Sequence, residues 1–324
     1  PANRGYGRAL MTGFAAARGE WLSFYDADGT CDPLVLAGLL RRLRETSADM
    51  AIGSRMDRSQ SRMPFLRHVG NRVFSVLLNS VSSYKVSDVA SGMRVFRRAC
   101  YERLLPLPAG LNFSPALSAA AILDDRLRVV ELAIPYRDRA GSSKLSVVKD
   151  GFRFAWAILS IAFYYRPQKV LGALGLLVLL PGLGYALTPL FLPYHHHLDE
   201  VIYRLLAVMV SMTVGSCLLL TGVLGQRLLW VRSRGLPPTR ISAWVVRHLT
   251  GGRLCALGLL FLVSGIVANY RSLAWYLTTG TVPVHWLYPA AGGLAVLLGA
   301  QALAGGLLLQ LLDYLFRKDN AGNA

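Results

Sequence analysis

The sequence predicts an α/β domain of alternating strands and helices, followed by an all-α domain of four membrane-spanning helices. Strand-like and helix-like periodicities take turns through roughly the first 150 residues, which argues for a layered α/β architecture with a largely parallel sheet. Charge is also unevenly divided. Residues 1–153 carry 23 of the 35 Lys and Arg and 14 of the 18 Asp and Glu, whereas residues 154–324 hold 12 and 4. Finally, four stretches in the second half lack charge for long enough to cross a hydrocarbon core of roughly 30 Å, which takes about 20 helical residues.

In chain order, residues 7–18 read as a helix and 21–25 as a buried strand. Residues 33–45 read as a second helix, with Asp32 as N-cap and Pro33 in its first turn. A strand follows at 49–54, then a helix at 64–80 with Phe65, Val69, Val73, Val76 and Leu77 along one side. A short strand at 93–96, a helix at 114–123 and a strand at 128–134 complete the domain. Gly5-Tyr6-Gly7 lacks the third glycine and the preceding strand of a dinucleotide fingerprint.

The four uncharged stretches are 170–192, 205–226, 254–270 and a last one within 287–312. Arg227, Arg232, Arg234, Arg240, Arg247 and Arg253 crowd the loop between the second and third, while the other two loops offer only Arg204 and Arg271. Lys and Arg in short loops favour the cytoplasmic side. An integral protein of the cytoplasmic membrane is therefore expected, with the first domain and both termini in the cytoplasm. Residues 171–182 and 254–265 share eight of twelve positions, and Gly215, Gly222 and Gln226 fall opposite Gly299, Gly306 and Gln310. Two repeated hairpins of one orientation are implied. His195-His196-His197 reads as a polar connector without ligand spacing, and the four cysteines show no metal or disulfide pattern.

Asp26-Ala27-Asp28 stands at the end of the apolar run Trp21-Leu22-Ser23-Phe24-Tyr25. In a parallel α/β sheet, ligands bind beyond the carboxyl ends of the strands. Two carboxylates one residue apart there can hold a divalent cation, Mg²⁺ or Mn²⁺, against a diphosphate. That is the chemistry of nucleotide sugars.

Seven segments then occur in order: Asn3-Arg-Gly-x-Gly-x-Ala9, Asp26-Ala-Asp-Gly-Thr-Cys-Asp-Pro33, Gly53-Ser-Arg55, Arg67-x-x-Gly-Asn71, Asp88-x-x-Ser-Gly-x-Arg94, Arg139-x-Gly-x-Ser-Lys144 and Asp150-Gly-x-Arg-Phe154. Together they resemble the family 2 glycosyltransferases, within them the branch of dolichol-phosphate mannose synthase, which moves a hexose from a nucleotide sugar to a polyprenyl phosphate. The resemblance implies a GT-A-like catalytic domain over 1–145, a juxtamembrane helix over 146–168 and a four-span domain over 169–324. Family members open with a strand and an acidic loop that hold the nucleotide's base and ribose. The chain as given begins after them.

The resemblance also implies roles. Asp28 matches the metal-binding carboxylate, with Asp26 beside it and Thr30 completing the shell. Arg139, Ser143 and Lys144 match the segment that contacts donor phosphates. Arg55, Arg67, Asn71 and Arg94 match acceptor-phosphate positions, and Asp88 stands near the place of a catalytic base. A phosphate monoester has a second pKa near about 6 and is already an anionic nucleophile, so it needs positioning more than deprotonation.

Phe152, Trp156, Leu159 and Phe163 recur at helical spacing within 146–165, with Lys149, Arg153 and Arg166 alongside. Such a helix lies in the headgroup plane of a bilayer. The net charge of +17 would also suit nucleic acid, but the basic residues are divided between a phosphate site and inward loops, and no base-stacking module is present. The expected partners are a nucleotide sugar, a polyprenyl phosphate and the bilayer. A processive polysaccharide synthase would need a Gln-x-x-Arg-Trp segment, and Gln226-Arg-Leu-Leu-Trp230 has the wrong order. A lipid-binding or flippase-like protein with a silent first domain is the remaining alternative.

Overall fold

A computed structural model of the protein describes residues 4–57, 61–139, 141, 146–188, 198–233, 244–245, 247–281 and 287–321. It divides into two units, Pro1–Arg166 and Pro167–Ala324. Ser143, Lys144 and His195 to His197 lie outside the described residues.

The first unit contains strands β1 (Trp21–Phe24), β2 (Met50–Ser54), β3 (Arg94–Arg97) and β4 (Val129–Ala133). Its helices are α1 (Tyr6–Ala16), α2 (Val35–Glu45), α3 (Phe65–Val81), α4 (Arg98–Arg103), α5 (Phe113–Leu123) and α6 (Val147–Tyr165). The strand order is β1-β3-β2-β4. Strand β3 runs antiparallel to both β1 and β2, while β2 and β4 are parallel. The sheet is therefore mixed, where the sequence pattern predicts a largely parallel one. After α3, the segment 82–93 returns to the end of the sheet where β2 stopped, so β3 enters from that end and must run the other way.

Element boundaries move by a residue or two from the sequence pattern, as cap geometry decides them. Helix α2 begins at Val35 rather than Pro33, because the Asp32 carboxylate accepts the Leu34 N–H at 3.0 Å and closes a separate turn first. Helix α4 escapes the periodicity reading because six residues span less than two turns.

Two apolar layers grip the sheet. Leu39 and Leu43 of α2 pack with Ala51, Met93, Val95 and Ile134. On the other face, the Phe14 ring meets Phe24, Phe96, Tyr101 and Phe113 at centroid distances of 5.0–6.4 Å. Aromatic pairs of this kind add roughly 0.5–1.5 kcal/mol each beyond the area they bury. Every residue of α5 is buried, which makes it the central helix of this layer.

Helix α3 has the predicted apolar stripe, but turned outward. Phe65 is 71% exposed, and Val73 and Val76 are each 57% exposed, while the buried positions are Asn71, Ser75 and Leu78. The reason lies in the neighbouring loop. Asn71 and Ser75 donate to and accept from the segment 87–90, which makes the polar face the inner one. Helix α6 behaves alike: Phe152 and Trp156 are exposed, whereas Ala157, Ile158 and Ala162 are buried. The Phe74 and Phe154 rings join α3 to α6 at 6.0 Å.

The second unit contains α7 (Pro167–Leu187), α8 (Leu198–Ser233), α9 (Gly251–Thr279) and α10 (Leu287–Ala321). All four are long and apolar enough to cross a membrane. Close approach is made through glycines, which let membrane helices touch backbone to backbone. A Cβ on Gly175 would lie 2.8 Å from the Gly215 carbonyl oxygen, and one on Gly258 would lie 2.8 Å from that of Gly299. These pairs occupy matching places in the sequence repeat. Between α8 and α10, the Ser216 hydroxyl donates to Gln301 Oε1 at 2.9 Å.

Candidate active site

A cavity of about 560 Å³ opens at the carboxyl ends of β1, β2 and β4. The turn after β1 contributes Asp26, Asp28 and Thr30, the end of β2 contributes Arg55, and α3 contributes Arg67 and Asn71. Tyr136 and Arg139, beyond β4, close the side next to Asp28.

The acidic pair is held by different means. Asp26 is backed against Gly92, where any Cβ would fall 2.0 Å from its Oδ2, so the loop before β3 must carry glycine here. Its Oδ1 accepts the Tyr6 hydroxyl at 3.0 Å. Burial raises the Asp26 carboxyl above the usual carboxylate range, although the Tyr6 hydrogen bond and the Arg55 charge pull it down. Burial beneath this carboxylate also pushes the Tyr6 phenol up. Asp28 accepts the Thr30 hydroxyl at 2.5 Å and the Thr30 N–H at 3.1 Å, and its other oxygen faces Arg139 at 3.3 Å. Burial raises the Asp28 carboxyl, but these hydrogen bonds and the Arg139 charge outweigh it, and the net shift is downward. Thr30 is itself buried behind Asp28.

Arg55 and Asp88 form a buried two-pronged ion pair. Arg55 Nε donates to Asp88 Oδ2 at 2.7 Å and its Nη2 to Oδ1 at 2.9 Å, while the Arg55 N–H adds a third bond to Oδ2 at 2.9 Å. Asn71 Nδ2 donates to Oδ1 at 3.0 Å. The Asp88 side chain is completely buried, so four donors enclose it. Burial alone would raise its carboxyl, yet the Arg55 charge and hydrogen bonds bring it well below the usual range. The Arg55 guanidinium also lies 5.5 Å from the centre of the Tyr136 ring, which keeps it at the cavity wall.

The remaining predicted residues separate into two groups. Arg67 lines the cavity and, among the described residues, has no ion-pair partner. Asn71 also reaches it, but its amide is committed, since its oxygen accepts the Ala90 N–H at 3.1 Å. Arg94 is wholly buried, with its Nη2 on the carbonyls of Val89 and Ser91, each at 3.0 Å. Burial lowers its guanidinium to about 10. It does not line the cavity. Leu66 and Phe74 of α3, Leu111 of the segment before α5, and Phe154 of α6 give the cavity an apolar flank between α3 and α6.

Sequence reasoning passes over Tyr6 and Glu131. Glu131 accepts the Ser87 and Asp88 N–H groups and the Ser87 hydroxyl at 2.9–3.0 Å. One signal was available: Glu131 is the single charged residue in the strand run Val129-Val-Glu-Leu-Ala-Ile134. A charge in such a place is normally paired.

The cavity thus joins an acidic pair and the guanidinium groups of Arg55, Arg67 and Arg139 at the mouth of an α/β sheet. The model of the family described as glycosyl transferase family 2 matches residues 1–105. An uncharacterized glycosyltransferase of Mycobacterium tuberculosis is 35% identical over 166 residues, which cover 48% of this chain and 72% of that protein. The chain belongs to glycosyltransferase family 2, a transferase whose α/β unit is followed in the chain by four helices long and apolar enough to cross a membrane. It is also similar to the low-salt glycan biosynthesis hexosyltransferase Agl6 of Haloferax volcanii, with 35% identity over 55% of this chain and 45% of that one. With the dolichyl-phosphate hexose transferase of the same organism it shares 28% identity over 50% of this chain and 70% of that one. The chain thus matches less than half the length of Agl6. Among solved structures it is similar to glucosyl-3-phosphoglycerate synthase of Mycobacterium tuberculosis in complex with Mn²⁺ and UDP-glucose, at 17% identity, a TM-score of 0.39, and 50% and 56% coverage of the two chains.

Proposed function

We propose that the protein transfers a hexose from a nucleotide sugar to a polyprenyl phosphate at the cytoplasmic face of a membrane, inverting the anomeric centre. The observation that carries this reading is one cavity that joins an acidic pair, an arginine with no ion-pair partner among the described residues, and an apolar flank. A donor diphosphate suits the first, a phosphate acceptor the second and a hydrocarbon chain the third. The similarity to a dolichyl-phosphate hexose transferase supports it.

Asp26 and Asp28 line the cavity and offer hard carboxylate oxygens, a donor type that fits Mg²⁺ or Mn²⁺. When bound, the cation would neutralise charge on the leaving diphosphate. Arg139, beside Asp28, is read as a donor-phosphate contact, and the family resemblance assigns Ser143 and Lys144 the same role. Arg67 offers a fork-shaped donor to the acceptor phosphate, and Arg55, whose Nε and Nη2 are committed to Asp88, adds its charge and its remaining guanidinium N–H groups. One oxygen of that phosphate attacks the anomeric carbon, forming a phosphodiester, as the bond from that carbon to the diphosphate breaks and the nucleoside diphosphate leaves with the electron pair. No proton has to move, because the attacking phosphate is already anionic. Asp88, with both oxygens committed, serves by holding Arg55 in place. Rate enhancement comes mainly from alignment and charge stabilisation.

The exposed apolar faces of α3 and α6 fit the headgroup level of a bilayer, and only Arg166 separates α6 from the first span in the chain. The test uses membranes containing the full-length protein, a panel of radiolabelled nucleotide sugars and polyprenyl phosphate. Organic-extractable label that requires Mg²⁺ or Mn²⁺ is expected. Label only in long water-soluble polymer would replace this reading with the synthase, and no incorporation at all would favour a lipid-binding protein.

A further inference from the structure

The loop that carries Asp88 is tied down by one carboxylate from across the sheet. Glu131 sits on β4 opposite Ile52 of β2, three residues before Arg55. Its Oε1 accepts the Ser87 and Asp88 N–H groups, both at 3.0 Å, and its Oε2 accepts the Ser87 N–H and hydroxyl, both at 2.9 Å. The Ser87 hydroxyl also lies 2.7 Å from that of Ser54, the last residue of β2. Ser75 of α3 donates to the Ser87 carbonyl at 2.7 Å. Ser87 is thereby fixed from three sides, and the adjoining Asp88 carboxylate can point only at Arg55 and Asn71.

We propose that Glu131 is a positioning residue for the acceptor-phosphate subsite: by clamping the Ser87–Asp88 backbone it fixes the carboxylate that aims Arg55 into the cavity. The inference rests on the reading of Arg55 as an acceptor-phosphate ligand. A carboxylate suits the place because two of the three groups it meets are backbone N–H donors, and the third, the Ser87 hydroxyl, can donate to it. In Glu131→Gln an NH₂ group replaces one of the two acceptor oxygens and faces at least the Ser87 N–H, which has no lone pair to offer it, although the side chain keeps its volume and shape. The loop then shifts, and Asp88 carries Arg55 with it. None of the clamp's hydrogen bonds goes to Asp26, Asp28 or Arg139, so the donor side feels the shift only through the Arg55 charge on Asp26 and changes less than the acceptor side.

The test is steady-state kinetics on the full-length protein in detergent or nanodiscs, varying polyprenyl phosphate and nucleotide sugar separately. Glu131→Gln is expected to raise the acceptor KM about tenfold, equivalent to about 1.4 kcal/mol, with the donor KM within about twofold. In an Arg55→Gln background, which keeps a donor toward Asp88, the second substitution should add nothing, because its effect passes through Arg55. A merely structural role for Glu131 predicts instead that the two effects multiply and that both KM values change, and this result overturns the proposal. An unchanged acceptor KM in Glu131→Gln, with a raised one in Arg55→Gln, overturns it as well. An unchanged acceptor KM in Arg55→Gln would remove the underlying reading of the subsite. Should Glu131→Gln not accumulate in membranes, Ser87→Ala removes the hydroxyl's bonds to Glu131 and Ser54 and should raise the acceptor KM about threefold, again only when Arg55 is present; no rise overturns the proposal.

Discussion

Replacing Asp88 by Asn separates a base from an anchor. The Asp88 oxygens accept four bonds, three from Arg55 and one from Asn71, at 2.7–3.0 Å with no exposure to water. An amide offers one oxygen, so whichever way the substituted side chain turns, its NH₂ meets two donors. The Arg55 charge, only 12% exposed, is left without its partner. Removing one member of a buried pair costs about 3–5 kcal/mol. For a unit of this size, each kcal/mol lowers Tm by roughly 2–4 °C, so a drop of roughly 6–20 °C is expected by thermal denaturation in detergent. The pH dependence follows from the same pair. The folded Asp88 pKa lies below its unfolded value of about 3.9, so its contribution is complete above about pH 4 and is lost as pH falls through the depressed value. Asp88→Asn should therefore flatten the acid limb of the stability profile. Kinetically, an anchor shifts mainly the acceptor KM and leaves measurable turnover. A kcat loss of about 10²- to 10⁴-fold, with Tm and acceptor KM unchanged, is what a general base gives and would refute the anchor role.

Asp28→Ala should reduce transfer to background in the labelled-lipid assay, since it removes one half of the acidic pair and the partner of Arg139; activity above a tenth of wild type would count against the site. Gly92→Ala places a methyl 2.0 Å from Asp26 Oδ2, so it should weaken donor binding, read as a raised donor KM, more than acceptor binding. Replacing both Phe152 and Trp156 by Ser removes exposed apolar surface without touching the cavity, so activity should fall in liposomes and be retained toward a short, water-soluble prenyl phosphate. Gly258→Leu drives a side chain into the Gly299 backbone and should lower the thermal stability of the second unit, read as earlier aggregation in detergent.

The order of elements and the acidic pair were legible without coordinates. Residues 21–24 form a strand because their run is apolar and bounded by charge, and Asp26 and Asp28 inherit a place at its end from the chain itself. The four long helices follow from uninterrupted hydropathy. What was not legible involves partners far apart in sequence. Asp88 is bonded to Arg55 at a separation of 33 residues and its backbone to Glu131 at 43, and no local pattern records either pairing.

The sequence by itself determined the partition into a charged α/β unit and an apolar helical unit, the succession of strands and helices, and the acidic residues at the cavity, because periodicity and charge act over a few neighbouring residues. Only the tertiary structure decided that β3 runs antiparallel, that α3 turns Asn71 and Ser75 inward and its valines outward, and that Asp88 is enclosed rather than free. The first follows from where the segment 82–93 returns to the sheet, and the other two from the need to satisfy buried polar groups, Asn71, Ser75 and Asp88 among them; both are properties of the assembled fold.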